Sequence, residues 1–158
     1  MGALPLLGLA ALIGFVPARA PAQPAHHPVN LSLFYPLSTN RDPAVSTNLR
    51  LNLLYGRVGA IRGLDLSGIT GRVDGPVRGV QVTGIVSSVS GEFRGVALTG
   101  LLNYGGAGGK GVQVSGLANF GRGGFRGAQY ASFFNFVEGE FAGAQVTGFY
   151  NLANEDAR

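Results

Sequence analysis

The sequence contains no cysteine, and this absence removes several kinds of site at once. Disulfides, thiolate metal centres and a lipid-modified cysteine of the lipoprotein type are all excluded. Histidine is almost as scarce, because His26 and His27 stand side by side in a proline-rich stretch and no third ligand follows nearby. The sequence therefore predicts no metal site, no cofactor and no catalytic histidine.

Charged residues are also few, at 13% of the chain. Because 46% of the residues are apolar, the composition excludes an intrinsically disordered chain, and the 27 glycines indicate many tight turns. The net charge of +4 permits attraction to anionic surfaces without naming a partner. A length of 158 residues leaves room for one ordinary domain.

The N-terminus has the pattern of an export signal. An apolar run over residues 3–16 is followed by Pro17 and by the small-residue site Ala18-Arg19-Ala20. The run is shorter than the roughly twenty residues that a membrane-spanning helix needs. We expect residues 1–20 to be a cleaved signal peptide, residues 21–28 to be a disordered leader, and the protein to be secreted, periplasmic or on the cell surface.

Sixteen-residue copies of VQVSGLANFGRGGFRG, residues 112–127, fill the chain after residue 47. Further copies begin at residues 64, 80, 96, 128 and 144, and a degenerate copy covers 48–63. A fixed period of this kind predicts a repeat architecture. We divide the chain beyond the leader into an N-terminal strand and loop, residues 29–47, and a glycine-rich repeat domain, residues 48–158.

Within each copy, apolar residues at positions one and three alternate with a polar residue, commonly glutamine, at position two, counting Val112 as position one. This two-residue period predicts a strand, and glycines at positions five, twelve and sixteen predict turns at Gly116, Gly123 and Gly127. A bend at position sixteen would let aromatic and aliphatic residues face inward together and Arg126 face outward. The predicted inward residues are Val112, Val114, Leu117 and Phe125.

Two all-β architectures fit this pattern. In a β-solenoid of about seven sixteen-residue rungs, identical positions stack about 4.8 Å apart. In an antiparallel hairpin meander or a rolled sheet, each copy is a hairpin with two tight turns. The predicted bend at position sixteen favours the solenoid.

Nothing in the sequence predicts catalysis. The carboxylates occupy different repeat positions, and the serines and threonines beside glycine have no histidine base in the repeats. The glycine-rich stretch that ends at Lys110 lacks the ending of a phosphate-binding loop and opens no helix. We therefore expect a protein that is not an enzyme.

The best candidate site is a series of cations at position fifteen. Stacked on successive rungs, these side chains would form an outward stripe able to meet anionic polysaccharide or lipid headgroups. The competing interpretation is that they only keep the protein soluble and prevent edge pairing. The series comprises Arg62, Arg78, Arg94, Lys110 and Arg126.

The blocks LFYPLSTN (33–40) and LRLNLLYG (49–56), followed by tandem G-V-Q-V-x-G-L-x-N units, resemble the bacterial surface repeat-containing proteins described from leptospires and their relatives. The resemblance runs from Val29 to the end of the chain. The sequence departs from the pattern at Ser87, where the asparagine of position eight is missing, and at Ser132, where the glycine of position five is missing. The resemblance implies an exported, envelope-associated protein without assigned catalysis.

From these features we expect a structural or binding scaffold of the cell envelope. The alternatives are adhesin-like binding of anionic glycans or lipid headgroups, and self-assembly of a β protein through its end rungs. Peripheral contact with a membrane and self-association are both compatible with the pattern, and no nucleic acid partner is expected.

Overall fold

The computed structural model describes residues 25–35, 37–39 and 42–154. The predicted signal peptide and most of the predicted leader lie outside the described residues. So do residues 155–158.

The described part of the chain consists of strands and short turns, without a helix. From β6 onward the strands are short and recur with the sixteen-residue period of the sequence. The strands are β1 His26–Phe34, β2 Leu37–Ser38, β3 Ser46–Val58, β4 Ala60–Ser67, β5 Thr70–Val73, β6 Val77–Thr83, β7 Val86–Val89, β8 Phe93–Thr99, β9 Leu102–Gly105, β10 Gly109–Ser115, β11 Ala118–Arg122, β12 Phe125–Ala131, β13 Phe134–Glu138, β14 Phe141–Thr147 and β15 Tyr150–Asn154.

Successive copies stack in parallel, each residue beside its equivalent one period away. Val112, for example, pairs with Val96 on one side and with Ala128 on the other. The strands β4, β6, β8, β10, β12 and β14 form one face, the long sheet, and β5, β7, β9, β11, β13 and β15 form the other, the short sheet. The predicted β-solenoid is confirmed, because parallel pairing between copies excludes hairpins within them.

The solenoid has about eight turns, one more than the repeats alone predict. The additional turn comes from β1, which pairs in parallel with β3 and begins three residues before the expected Val29. The region predicted as a loop also contributes β2, which pairs with β1 in the antiparallel sense. The strand β3 joins the two sheets, because its first half pairs with β4 and its second half with β5.

The side chains of the long sheet face the opposite way from our prediction. Val112 is 39% exposed, Val114 and Leu117 are half-buried, and Gln113 is 5% exposed. Only Phe125 is buried as expected, at 3%. The predicted bend at position sixteen was wrong: each long strand continues through its glycine, so strict alternation puts the valines on the outer face.

Polar side chains therefore fill half of the interior, and they are hydrogen-bonded from coil to coil. Asn103 donates to Asn119 over 2.8 Å, Asn119 donates to Asn135 over 2.8 Å, and Asn119 also donates to a backbone carbonyl over 2.9 Å. Gln129 donates to Gln113 over 2.8 Å in a second ladder. Because these amides find partners in the neighbouring coil, burying them carries little penalty. Elsewhere in the interior, Asn52 Oδ1 and Gln81 Oε1 are buried without a hydrogen-bond partner.

The other half of the interior is apolar. It is built from positions ten and fourteen, next to the turn that precedes each long strand. Phe125 stacks on Phe141 in the next coil with ring centroids 6.3 Å apart. The main members are Val58, Ile61, Val73, Val77, Val89, Phe93, Phe125 and Val137.

Glycine at position sixteen is required by close packing of the coils. Gly127 lies inside β12 with φ of 136°, and the place of a β-carbon is taken by the backbone oxygen of Gly111. Residues with a β-carbon rarely adopt this backbone conformation. At Gly105, in contrast, an added β-carbon would meet nothing nearer than 3.8 Å.

We predict that Gly127→Ala destabilises the protein and that Gly105→Ala does not. The first substitution adds backbone strain of about 1–3 kcal/mol, together with the clash against the preceding coil. The second fits the space and restricts the unfolded chain, so it should leave stability unchanged or raise it by about 0.4–1 kcal/mol. Chemical denaturation of the two variants measures this, and equal losses would contradict the assigned role of position sixteen.

Candidate functional site

The five predicted cations lie side by side on the outer face of the long sheet. Parallel register pairs Arg62 with Arg78, Arg78 with Arg94, Arg94 with Lys110, and Lys110 with Arg126. All five side chains are exposed. We call this set the basic column.

Only part of the basic column is neutralised. Arg94 contacts Glu92 at 2.8 Å, and Arg126 approaches Glu140 at 3.9 Å. The other three, Arg62, Arg78 and Lys110, form no ion pair with a carboxylate among the residues that the structure describes. Two like charges held about 5 Å apart in water repel by about 0.8 kcal/mol. The column is therefore a row of cations whose mutual repulsion a bound polyanion would reduce.

A second surface feature was not predicted from the sequence. Positions one, three and six of every coil point outward and are apolar throughout residues 64–149, with no charged residue among them. We call this surface the apolar face. It consists of Leu64, Leu66, Ile69, Val80, Val82, Ile85, Val96, Leu98, Leu101, Val112, Val114, Leu117, Ala128, Tyr130, Phe133, Ala144, Val146 and Phe149, and Val29, Leu31, Leu49, Leu51 and Leu54 extend it over the first coils.

The apolar face begins directly beside the basic column. On β12, Arg126, Ala128 and Tyr130 point outward in succession, whereas Gln129 points inward. The signal for this arrangement was present in the sequence, since arginine and the aliphatic residues have the same parity along the strand. We overlooked it by assuming that aliphatic residues must be the buried ones.

Glycine at position five opens shallow furrows in the apolar face. One furrow of about 570 Å³ lies over Gly68 between leucines of the first coils, which include Leu31, Leu51 and Leu66. Another of about 460 Å³ continues along the axis over Gly84, Gly100 and Gly116. These furrows have apolar walls, and serine, threonine and asparagine side chains supply their polar lining.

Charged residues of the first coils gather around Asp74, which follows β5 directly. Asp74 accepts hydrogen bonds from Arg57 at 2.6 Å and Arg72 at 3.0 Å. Burial alone would raise the pKa of Asp74, but the two arginines outweigh it and lower that pKa, while Asp74 raises the pKa of Arg57. The stabilisation from ionised Asp74 is therefore present above the carboxyl's unfolded pKa and is lost only as pH falls through its lower folded pKa.

Arg50 and Asp65 form a buried ion pair inside the first coils, another feature that was not predicted from the sequence. Two hydrogen bonds of 2.6 and 2.5 Å join them, and their side chains are 1% and 0% exposed. Gln81 donates to Asp65 over 2.9 Å, and Arg50 also donates to a backbone carbonyl. Asp65 occupies position two, and the register of β3 with β4 places Arg50 beside it. Position two is glutamine in the later coils except at Ala97, so the pair takes the place of two glutamines next to Gln81.

The histidines and the glycine-rich stretch before Lys110 do not come together in one site. The imidazole of His26 is hydrogen-bonded to Ser46 at 3.1 Å, and His27 is its neighbour on β1. No group of three potential metal ligands comes together in the described residues, and those residues contain no helix able to span a membrane. Lys110 lies in β10, so the glycine-rich stretch before it leads into a strand.

Comparison with family models, with curated proteins and with solved structures finds no match to this chain. We therefore infer function from the geometry of the basic column and the apolar face.

We predict that Asp65→Asn destabilises the protein by about 3–5 kcal/mol, because it leaves the Arg50 guanidinium buried without a counter-charge. The double variant Arg50→Gln with Asp65→Gln should recover most of this loss by stacking two further glutamines on Gln81. Asp74→Asn, which removes the carboxylate from two exposed ion pairs, is the control and should cost much less. Denaturant titration compares the three, and a double variant no more stable than Asp65→Asn would contradict the proposed replacement.

Proposed function

We propose that this protein is a non-catalytic binding scaffold of the bacterial cell envelope, and that its basic column binds anionic polymers or lipid headgroups. The observation that carries the proposal is the register of the five cations, which lie on adjacent coils of a rigid sheet and have a partial complement of acidic partners. Export to the envelope is part of the proposal and is supported by the N-terminal sequence pattern and by the resemblance to surface repeat proteins.

The spacing of the column suits an extended polyanion. Adjacent coils are about 4.8 Å apart, so five cations cover about 19 Å along the axis. Phosphates or sugar acids arranged along this line would each meet a cation without any rearrangement of the backbone. Arginine also offers several donors in a fixed plane, which favours carboxylate and phosphate oxygens.

Solubility is the simpler explanation for exposed cations, but it does not require them to share one column. Like charges directly opposite each other on neighbouring strands destabilise a sheet. Scattering the same cations over several positions would keep the protein soluble without this cost. The observed stacking therefore favours binding.

We predict that replacing the three unpaired cations, as Arg62→Ser, Arg78→Ser and Lys110→Ser together, weakens binding to heparin on the order of a hundredfold, since each cation near an anionic surface contributes about 1 kcal/mol. The dependence of binding on salt concentration should fall as well. The measurement is affinity by titration at several salt concentrations.

The matched control removes charge elsewhere, as Arg57→Ser with Arg72→Ser, and is compared with the column pair Arg62→Ser with Arg78→Ser. The two control arginines already contact a carboxylate, at 2.6 and 3.0 Å. If the control weakens heparin binding as much as the column pair, net charge alone explains the affinity. If neither protein binds heparin or anionic vesicles, the basic column has no such role.

A further inference from the structure

We propose that the apolar face inserts edge-on into one leaflet of an anionic lipid bilayer, while the basic column lies among the headgroups. This inference deepens the proposed function and depends on it for the charge at the headgroups. It identifies the occupant of the apolar face as lipid acyl chains. Five properties of the structure support that choice.

The first property is extent. Eight coils about 4.8 Å apart make the apolar face about 38 Å long, and its long-sheet part alone covers on the order of 500 Å². An apolar surface of this size matches the largest patch of a typical monomer, and such patches often have a function. Large side chains along it, such as Leu98 and Leu101, are at least 40% exposed.

The second property is depth. We call the turn at positions five and six, between the long sheet and the short sheet, the apolar corner. The step of four residues from position one to the glycine of position five measures about 13 Å along an extended strand. The hydrocarbon of a single leaflet is about 15 Å thick, half of the usual bilayer core. The basic column lies two residues, or about 7 Å, beyond position one and so reaches the headgroups when the corner reaches the bilayer centre.

The third property is that backbone groups at the apolar corner are already hydrogen-bonded. The N–H groups of Gly116, Leu117 and Ala118 donate to carbonyls of the preceding coil over 3.2, 2.9 and 3.0 Å. Lipid offers no hydrogen-bond partners, so a structure that enters it must satisfy its backbone internally. Most polar side chains of the same half of the solenoid are turned inward, including the asparagines and glutamines of the ladders, whereas Ser132 is exposed.

The fourth property is the opposite border of the apolar face, on the short sheet. Position nine is aromatic in three successive coils, at Tyr104, Phe120 and Phe136, and is Leu152 in the last coil. Beyond it Arg122 lies 6.0 Å from the centre of the Tyr104 ring. Aromatic rings, tyrosine above all, and basic residues are the side chains that sit at the boundary between hydrocarbon and headgroups. Both borders of the apolar face therefore carry the side chains that a membrane interface requires.

The fifth property disfavours a second copy of this chain as the occupant. The cations of the basic column lie on the same outer surface as the apolar face, separated from position one by one glycine. Packing two copies through the long sheet would place those cations against each other or against apolar side chains. Either arrangement desolvates unpaired charge, whereas an anionic leaflet supplies the counter-charge.

The test uses tryptophan, which is absent from the natural sequence. Leu101→Trp places the probe at position six beside the apolar corner, and Pro76→Trp places a matched probe at exposed position thirteen, beyond both borders of the apolar face. With vesicles of phosphatidylcholine and phosphatidylglycerol, we expect a blue shift and quenching by brominated acyl chains for Leu101→Trp only. Absence of the shift, or equal shifts for both probes, would overturn the proposal.

A further variant, Val82→Ser with Leu98→Ser, separates this inference from the proposed function. Both side chains point outward, so the fold should be retained, and circular dichroism checks this. We expect about a tenfold or greater loss of partitioning into vesicles, since each lost side chain removes apolar area from lipid, with heparin binding unchanged.

The outcomes distinguish the two proposals. If binding to heparin and vesicles is sensitive to salt but the fluorescence of Leu101→Trp does not change, the proposed function stands and insertion is overturned. Insertion into phosphatidylcholine vesicles, unaffected by loss of the basic column, keeps insertion and overturns the role of the column. A blue shift without vesicles, accompanied by a doubled mass in solution, shows that a second copy covers the apolar face and overturns insertion.

Discussion

The structure depends on one constraint, which is that each sixteen-residue copy lies in parallel register on the copy before it. Register turns every repeat position into a column, so the character of a position becomes the character of a whole surface. It also brings amides such as Asn103 and Asn119 within hydrogen-bonding distance, which allows a polar interior to be stable. The glycine of position sixteen permits the close approach of the coils, because the backbone of the neighbouring coil occupies the space that a side chain would need.

The same constraint gives the two edges of each coil opposite arrangements. At one edge, apolar columns face outward over a polar interior, and at the other edge, charged residues face outward over valines and phenylalanines. Both the outer surface and the interior of each coil therefore have an apolar part and a polar part. This division is the physical basis of the proposal that one edge meets lipid while the cations of the basic column meet anionic groups.

Much of the fold could be predicted from the sequence. The exact period, the alternation and the recurring glycines predicted an all-β repeat fold, because they act locally and repeat without insertion. The choice of a solenoid over a hairpin meander was correct, but it rested on a bend at position sixteen that the structure does not have. The outward position of Arg126 was predicted as well. The orientation of Val112 and Gln113 was predicted wrongly, since the assumption that valine is buried prevailed over the unbroken alternation from Phe125 onward. The Arg50–Asp65 pair was missed because its two members are related only through the stacking of coils.

By itself, the sequence determined the repeat, the strands and the set of cations that could form a column. Only the tertiary structure decided which face of each strand is the interior. The physical reason is that an isolated strand has two equivalent sides, and hydrophobicity alone favours burying the valines. Stacking supplies hydrogen-bond partners for Gln113 and Asn119 that one copy does not contain, and these ladders allow the polar side to close inward and leave the apolar side outside.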